Sequence, residues 1–272
     1  MPEGHTIHRL AAEHAVWLAG GPVRACSPQG RFTAGAALLD GATLIRTDAH
    51  GKHLFHEYRS PSGEPRWLHV HLGLYGKFTA GRTPVPAPVG QVRLRLTTDQ
   101  HWLDLRGPAA CELITEADKD AFHARLGADP LRDDADPDAA GRRILRSNTP
   151  IGQLLLDQSV VAGVGVAYRA EVLFRLGIDP HHPGRDLTPQ QWQAIWADLQ
   201  QLMRYGVQHG RIDTVRPEHT PEAMGRPPRV DRHGGEVYVY RRAGAPCLIC
   251  GTPIAAGTMG ARNLYWCPRC QS

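Results

Sequence analysis

Met1-Pro2-Glu3-Gly4-His5-Thr6 begins the chain and leads directly into a predicted amphipathic helix, because apolar residues recur there at helical spacing: Ile7, Leu10, Ala11, His14, Trp17 and Leu18. A small second residue favours removal of Met1, so we predict a mature chain that begins with the secondary amine of Pro2. An α-amino group titrates near pH ~8, and its neutral form can attack an electrophilic carbon to give an iminium. Glu3 is the expected proton donor or acceptor beside it. The alternative is a processed, frayed terminus.

Length and composition are those of a two-domain globular protein of 272 residues, with 42% hydrophobic and 21% charged residues. There is no long apolar run, and the first 25 residues lack a basic-then-apolar export pattern. We therefore expect a cytoplasmic protein that does not enter a membrane. The net charge of +4 is unevenly distributed, with ten Arg against five acidic residues over 201–272 and nine acidic against three basic residues over 111–140. This asymmetry favours a bound polyanion.

The first part of the chain, residues 1–115, is predicted to be a sandwich of two β-sheets behind the N-terminal helix. The run Val92-Arg93-Leu94-Arg95-Leu96 alternates strictly, as a half-buried strand does. Several short strands separated by turn residues favour a sandwich. The predicted strands are Thr43–Ile45, His53–Tyr58, Trp67–Leu72, Lys77–Thr79, Val92–Thr97 and Trp102–Leu105.

A polar, Asp-rich segment over 116–147 is predicted to be a linker with one short helix, and residues 148–235 are predicted to form a helical domain. Thr188-Pro189 is a helix start, and an apolar stripe follows it at helical spacing. Residues 210–235 combine many Gly, Pro and Arg with little periodicity, which predicts a loop.

The remaining part, residues 236–272, carries two cysteine pairs that predict one structural zinc ion. Cys247-x2-Cys250 and Cys267-x2-Cys270 are separated by sixteen residues, which is the spacing of a four-cysteine zinc ribbon. Arg262 lies between the pairs, where a guanidinium on a stiff hairpin suits a phosphate, although a solvated arginine is the alternative. Cys26 and Cys111 are predicted to be buried small residues.

Residues 151–174 predict two helices joined by a tight connection. Ile151–Gln158 is the first helix, and Val166–Phe174 is the second, with Tyr168 near its head. Gly163 and Gly165 precede the second helix, where glycine and free amide groups favour an approaching phosphate. Plain helix–helix packing is the alternative.

Taken together, these motifs resemble the formamidopyrimidine-DNA glycosylase and endonuclease VIII family over essentially the whole chain and in the family's order. The resemblance rests on Met-Pro-Glu-Gly at the start, on His50-Gly51-Lys52-His53-Leu54, on the segment from Gln153 to Phe174, and on Gly-Ala-Arg-Asn-Leu-Tyr-Trp-Cys-Pro-Arg-Cys-Gln at the end. It implies a multidomain α+β fold with a helix and a two-sheet β-sandwich, then a helical domain with a helix–two-turn–helix, then a zinc ribbon.

The resemblance also implies roles for individual residues in a bifunctional DNA glycosylase and abasic-site lyase. Pro2 is the expected nucleophile at the deoxyribose C1′ of a damaged nucleotide, and Glu3 is the expected general acid and base. Lys52 and Arg262 are expected to hold the phosphates that flank the lesion. After base loss, the Schiff base makes the C2′ proton acidic, so β- and δ-elimination follow.

Further residues are expected to contact DNA. The turn with Gly163 and Gly165 is expected to bind the DNA backbone, and Tyr168 is also expected to contact DNA. Leu74-Tyr75 matches the endonuclease VIII type of wedge that fills the gap left by a flipped base. Packing at a sheet edge is the alternative for Leu74 and Tyr75.

Three positions depart from the family pattern. Thr6 stands where many members have an acid, which affects the proton route around Pro2. Val166 stands where Asn is usual, and Gly152 stands where a lysine is expected. The last two changes remove polar side chains from the group of residues expected to hold DNA phosphates. They favour weaker duplex binding or a preference for single strands or bubbles.

The leading hypothesis is therefore a monomeric, nucleoid-associated repair enzyme that acts on damaged DNA, duplex or single-stranded, and removes oxidised pyrimidines. An 8-oxoguanine or formamidopyrimidine glycosylase is the alternative within the family, and a non-catalytic zinc-ribbon protein that binds damaged DNA is the alternative outside it. A metal-dependent hydrolase that uses His69 and His71 is a third class, although no carboxylate motif accompanies these histidines.

Overall fold

A computed structural model describes residues 2–231 and 235–272. The chain forms two compact units, which meet in sequence between Arg125 and Leu126. Met1, whose removal is predicted from the sequence, lies outside the described residues. Within the described part of the chain, no helix is both long and apolar enough to cross a membrane.

The N-terminal unit is the predicted two-sheet sandwich. Its helices are α1 (Gly4–Trp17), α2 (Thr33–Leu39) and α3 (Glu116–Arg125). Its strands are β1 (Arg24–Cys26), β2 (Thr43–His50), β3 (His53–Arg59), β4 (Pro65–His71), β5 (Lys77–Arg82), β6 (Val92–Thr97), β7 (His101–Arg106) and β8 (Ala110–Ile114). One four-stranded antiparallel sheet has the order β2-β3-β4-β8, and the other has the order β1-β6-β7-β5.

The core of this unit forms from the alternate residues that each sheet directs inward. Leu54 and Leu68 from one sheet and Leu94 and Leu103 from the other are at most 1% exposed and belong to one apolar cluster with Ile7 of α1. Because side chains alternate across a strand, the outward residues of β3 and β4 form a second face. This second face is also largely buried, and α3 packs against β4 there.

Helix α1 is attached to the first sheet by polar contacts as well as by apolar ones. Thr47 donates its hydroxyl hydrogen to the carbonyl of Ala11 at 2.8 Å. His14 Nδ1 lies 3.2 Å from His56 Nε2, and His56 Nδ1 lies 3.2 Å from the Tyr58 hydroxyl. Burial lowers the pKa of His56 to about 3 and that of His14 well below its usual value, so both rings are neutral at physiological pH. Gly4 and His5 in the first turn of α1 are also buried, so the start of the helix is packed rather than frayed.

The C-terminal unit is helical and ends in a β-hairpin. Its elements are α4 (Pro137–Ile144), α5 (Ile151–Leu154), α6 (Val166–Arg175), α7 (Pro189–His209), α8 (Pro221–Met224), β9 (Ala255–Met259) and β10 (Arg262–Trp266). The predicted start of α7 is confirmed by a capping box, in which the Thr188 hydroxyl accepts from the amide of Gln191 and the Gln191 side chain accepts from the amide of Thr188.

Some short elements differ from the sequence prediction. The segment 116–147 contains two helices, α3 and α4, where one was predicted. The predicted loop over 210–235 contains α8, and Arg226 and Arg229 form ion pairs of 2.6 Å with Glu236 and Asp231. Residues 232–234 of that predicted loop lie outside the described residues.

The C-terminal unit contains a fully buried carboxylate, Glu171 on α6, which accepts four hydrogen bonds. Three come from the consecutive amides of Tyr238, Val239 and Tyr240 at 2.8–2.9 Å, and the fourth comes from the Thr214 hydroxyl at 2.5 Å. A buried charge is tolerated only where its lone pairs are satisfied in this way. Glu171 therefore fixes the segment that precedes the cysteine pairs against α6.

We predict that Glu171→Gln destabilises the C-terminal unit by roughly 3 kcal/mol or more, because the side-chain amide hydrogens would face backbone N–H donors and leave them unpaired. Urea denaturation of the full chain measures the free energy of unfolding. Glu222→Gln, which changes an exposed glutamate of the same unit, is the matched control and should leave the midpoint unchanged. Equal midpoints for both variants would contradict the role of Glu171.

Candidate functional site

Pro2 and Glu3 occupy the head of α1. Pro2 is half-buried, and Glu3 is 3% exposed in an extended conformation (φ −116°, ψ 178°) immediately before the first helical residue. The backbone carbonyl of Glu3 accepts from the amide of Thr6 at 3.0 Å, which closes the first turn. The positive end of a helix dipole favours a carboxylate at this position. The structure thus holds the predicted nucleophile and its predicted acid–base partner next to each other.

The side chain of Thr6, where the family resemblance predicts an acid, contacts its neighbour His5. The Thr6 hydroxyl lies 3.2 Å from His5 Nε2. Burial lowers the pKa of His5 to about 4, so the ring is neutral at physiological pH. A hydroxyl and a neutral imidazole therefore replace a charged group beside Glu3.

Lys52 lies at the tip of a two-residue hairpin turn between β2 and β3. His50 pairs with His53 across this turn, and Gly51 has a φ of +57° at its first central position. Such a turn requires a left-handed residue, which glycine adopts without strain. Lys52 is half-buried, and the tight turn holds its backbone in a defined position.

Leu74 and Tyr75 lie on the turn that carries the chain from β4 in one sheet to β5 in the other. Their exposures are 50% and 85%, so the alternative of packing at a sheet edge does not hold. The turn is tight, because Gly73 has a φ of +66° and a Cβ on Gly76 would lie 2.2 Å from the carbonyl oxygen of Leu72. Two large apolar side chains are thus held in solvent on a constrained loop, as a wedge requires.

This turn and the Lys52 turn lie at the same end of the sheet. His53, which follows Lys52, is the register partner of His71, the last residue of β4. The N-terminal unit therefore brings Lys52 and the Leu74–Tyr75 turn to the same end of the sheet, which we call the Lys52 edge.

The predicted helix–two-turn–helix is formed by α5 and α6. Two of the residues predicted to contact DNA, however, make their contacts with other residues of the C-terminal unit. The amide of Gly163 (φ +87°) donates to the Gln158 side chain at 3.0 Å. Tyr168 is 0% exposed and belongs to the apolar core, so its ring is a packing residue. Gly165 is the residue that caps α6. Val166, which follows it, is 8% exposed and is also part of the core.

Gly152 on α5 allows the β9–β10 hairpin to approach. A Cβ at this position would lie 2.9 Å from the carbonyl oxygen of Pro180 and 3.0 Å from the sulfur of Met259. Met259 is the last residue of β9, at the hairpin tip. The lysine that the family resemblance predicts here would require the Pro180 carbonyl to shift and the Met259 side chain to move aside.

Arg262 is the first residue of β10 and is exposed. It pairs with Met259 across a two-residue turn in which Gly260 and Ala261 have φ values of +56° and +57°. Positive φ at both central residues is the geometry of a type I′ turn, which matches the twist of a hairpin. The backbone of Arg262 is therefore held at a defined position beside the hairpin tip.

The four predicted zinc ligands meet at the base of this hairpin, and their Sγ atoms all lie within 4.8 Å of one another: Cys247, Cys250, Cys267 and Cys270. The Cys247–Cys270 and Cys250–Cys267 sulfur distances are 3.9 and 3.5 Å. A tetrahedral ion with bonds of about 2.3 Å needs sulfur–sulfur edges of about 3.8 Å, so the four thiolates fit zinc. The amides of Ile249 and Cys270 point at sulfur, as in a ligand turn.

Gln271 attaches this cluster to the helical part of the same unit. Its side-chain oxygen accepts from the amide of Cys267 at 2.9 Å, and its amide group donates to the carbonyl of Ile178 at 2.9 Å. Cys26, which is not part of the zinc site, is exposed on β1, so the prediction that it is buried is wrong.

A group of histidines covers the outward face of the first sheet. His69 Nδ1 lies 2.9 Å from a carboxylate oxygen of Glu112, so a carboxylate does accompany the histidines that suggested a hydrolase. Among residues 2–231 and 235–272, however, the four cysteines are the only group of three or more side chains that could hold a metal ion. The hydrolase hypothesis has no second metal site to support it.

Sequence reasoning missed Glu112. Its contact with His69 follows from the register of β4 and β8, in which these two residues are directly paired. A strand prediction for 110–114 is the signal that could have identified this contact.

Comparison with known proteins covers the chain in three segments. The family model of the formamidopyrimidine-DNA glycosylase N-terminal domain matches residues 1–111, the formamidopyrimidine-DNA glycosylase H2TH domain matches 126–216, and the zinc finger found in FPG and IleRS matches 244–272. "Endonuclease 8 1" of Mycobacterium tuberculosis (strain H37Rv) is 49% identical over 100% of both chains. "Endonuclease 8 2" of Mycobacterium bovis is 32% identical, again over 100% of both.

The fold is also that of solved structures. A complex between the Lactococcus lactis Fpg and DNA containing an abasic site aligns with a TM-score of 0.80 over 99% of both chains, at 21% sequence identity. The predicted α+β architecture is confirmed. The zinc-finger match and the sulfur geometry together show one structural zinc site.

We predict that Cys267→Ala lowers the zinc content from one ion per chain to near zero and unfolds the hairpin, because zinc binding and folding of so small a motif are coupled. Metal analysis of the purified protein measures the content. Cys26→Ala, which removes an exposed cysteine of the other unit, should retain full zinc. An unchanged zinc content in the Cys267 variant would refute this ligand assignment.

Proposed function

The chain belongs to the formamidopyrimidine-DNA glycosylase and endonuclease VIII family, and we propose that it removes oxidised pyrimidines from DNA with Pro2 as its nucleophile. The family assignment makes it a DNA glycosylase and abasic-site lyase of base excision repair that binds damaged DNA. The choice of lesion and the role of each residue are the proposal.

One observation carries this mechanism: Pro2, whose nitrogen becomes a secondary amine once Met1 is removed, and the buried carboxyl of Glu3 are adjacent at the head of a helix that is fixed to its sheet. With Met1 removed, the neutral Pro2 nitrogen bonds to C1′ as the C1′–base bond breaks, and the base leaves with the bonding electron pair and takes up the proton that the nitrogen loses. Glu3 protonates the ring oxygen O4′ as the sugar opens, which leaves an iminium between Pro2 and C1′. Loss of a C2′ proton to Glu3 then expels the 3′ phosphate in β-elimination, and δ-elimination expels the 5′ phosphate.

Phosphate binding is assigned to the exposed Arg262 of the zinc hairpin and to Lys52 on its turn. An arginine on a rigid support suits a phosphate, because its planar donors are already oriented. Of the residues around the head of α6, Gly165 stays in the proposal, while Gly163 and Tyr168 make contacts inside the unit.

The preference for oxidised pyrimidines rests on Leu74 and Tyr75. Base flipping leaves a gap that costs a few kcal/mol of lost stacking, and an exposed leucine and tyrosine can fill it. Relatives named "Endonuclease 8" at 49% and 32% identity support this choice. A relative from Rippkaea orientalis named "Formamidopyrimidine-DNA glycosylase", 30% identical over 86% of this chain, keeps the purine alternative as the second candidate.

Further parts of the proposal concern organisation. We propose that the protein acts as a monomer on the nucleoid, on duplex or single-stranded DNA. The four functional segments are a catalytic sandwich (1–115), a linker (116–147), a helical DNA-binding region (148–235) and the zinc hairpin (236–272).

We predict that the protein, once mass spectrometry confirms its N-terminal proline, cleaves DNA with an oxidised pyrimidine such as thymine glycol faster than DNA with 8-oxoguanine. Cleavage of defined lesions in duplex and single strands measures the preference. Faster cleavage of 8-oxoguanine would contradict the pyrimidine assignment and favour the purine alternative.

The same samples test the nucleophile through borohydride trapping on abasic DNA. The wild-type protein should give a covalent adduct, because borohydride reduces an iminium to a stable amine. Pro2→Gly should trap much less, because the secondary amine is lost. No adduct with the wild-type protein would favour the non-catalytic binding alternative.

We predict that Arg262→Ala weakens binding to all lesions alike and lowers the salt slope of the binding constant by about 1, as expected for one lost phosphate contact. Titrations at several salt concentrations measure this slope. Arg269→Ala, which removes another exposed arginine from the same zinc motif, is the matched control. A defect confined to one lesion would contradict the phosphate role.

A further inference from the structure

Three side chains form a continuous line of hydrogen bonds across strands β8, β4 and β3. A Glu112 carboxylate oxygen lies 2.9 Å from His69 Nδ1, and His69 Nε2 lies 2.8 Å from His53 Nδ1. The register of the sheet pairs Glu112 directly with His69. His69 is 2% exposed, whereas half of the Glu112 side-chain surface is exposed, so the line runs from solvent at Glu112 into the covered face of the sheet.

The donor and acceptor roles along this line follow from its first member. An ionised carboxylate only accepts, so His69 donates from Nδ1. A neutral His69 then accepts at Nε2, and His53 must donate from Nδ1. Glu112 thereby fixes the tautomers of both rings. Nε2 of His53, which makes no hydrogen bond with any residue that the structure describes, is left with a lone pair.

The open end of the line lies at the edge that carries the proposed DNA contacts. His53 directly follows Lys52 of the hairpin turn and is the register partner of His71, with 4.9 Å between the two ring centroids. Two residues separate His71 from Leu74 of the Leu74–Tyr75 turn.

Two cations lie near His53 and give this edge its positive charge: Lys52 of the turn and Arg125 of α3. The other titratable groups that face the ring are histidines, the neutral His69 and His71 of β4 and His50 of β2. Asp48 is paired with Lys119 at 3.0 Å and lies 3.6 Å from His123, and Glu112, at the far end of the line, is the carboxylate bonded to His69.

In the free protein His53 is neutral. Burial, followed by the neighbouring His69 and His71, lowers the pKa of His53 to about 3. An incoming phosphate diester would supply the negative charge that this edge lacks, and it would favour the protonated ring. The carboxylate of Glu112 would stabilise that charge from the other end of the line.

We propose that His53 is an additional phosphate-binding residue, which takes up a proton from solvent when DNA binds, and that His69 and Glu112 are positioning residues that orient its ring and stabilise its charge. The proposal rests on the proposed function, because it places DNA at the Lys52 edge. The bound proton lies on Nε2, which then donates to a phosphate oxygen, while Nδ1 continues to donate to His69.

The sign of the pH dependence follows from this proton uptake. A group whose pKa rises on binding makes the complex more stable below its pKa in the complex, and this gain is lost as pH rises through that value. The proposal requires DNA to raise the pKa of His53 from about 3 into the range between pH 6.5 and 8, and DNA affinity should therefore fall across that range. The salt slope should be steeper at pH 6.5 than at pH 8 by up to about 1, because the charged His53 adds one phosphate contact.

The test uses the full-length, zinc-loaded protein and a duplex with a tetrahydrofuran abasic analogue, which binds but is not cleaved. Calorimetry in two buffers of different ionisation enthalpy counts the protons taken up, and titrations at several salt concentrations give the slope at each pH. His53→Gln keeps an N–H donor near the position of Nε2 but does not titrate. We expect it to lose the proton uptake and the pH dependence of the salt slope.

Glu112→Gln tests the line without touching the binding edge. It should reduce the proton uptake and weaken binding by about ten-fold or less at pH 6.5, which corresponds to at most about one unit of pKa. Binding at pH 8 should stay close to that of the wild type, which also shows that the variant is folded. Glu64→Gln removes a carboxylate that is 66% exposed in the same unit and should match the wild type.

Two results would overturn the proposal: proton uptake and salt slopes of both variants that equal those of the wild type, or a wild-type protein that takes up no proton. Borohydride trapping on abasic DNA, run with the same samples, separates this outcome from failure of the proposed function. A protein that traps DNA but takes up no proton contradicts the inference alone. A protein that traps no DNA contradicts the proposed function itself.

Discussion

The C-terminal unit depends on satisfying one buried charge. The carboxylate of Glu171 is removed from solvent, so its stability requires the amides of residues 238–240 and the hydroxyl of Thr214 to stay where they are. These residues precede the first cysteine pair in the chain. The hairpin is thus fixed from two sides, by the zinc ligands within it and by α6 beneath the segment that leads to it. Arg262 gains a defined position because both attachments are rigid.

A comparable division holds in the N-terminal unit, where rigid β-structure presents functional side chains on its turns. Lys52 and the Leu74–Tyr75 turn belong to different connections, but antiparallel pairing brings both to one edge. The outward face of the same sheet brings Glu112 and His69 together behind that edge. Strand register, rather than any local motif, therefore decides which residues can act together.

Local signals explain what could be predicted. The helix at Pro189 has its cap in the sequence, and the cysteine spacing specifies a zinc motif without knowledge of the fold. The three residues of β1 carry no such signal, because their partners in β6 lie about seventy positions away, with Arg24 opposite Thr97. Tyr168 was assigned to DNA because it lies near a helix head. Almost all of α6 is buried, so sequence periodicity could not separate a binding face from a packing face.

The buried pair His14 and His56 has a consequence for how this enzyme behaves in acid. Both rings are uncharged in the folded sandwich, whereas in the unfolded chain they accept protons below about pH 6.5. Each proton bound only by the unfolded state shifts the equilibrium towards it, so the fold that holds Pro2 loosens as pH falls from that value towards the folded-state pKa of His56, about 3. The acid limb of a rate profile would then report the melting of a scaffold as well as the titration of a catalyst.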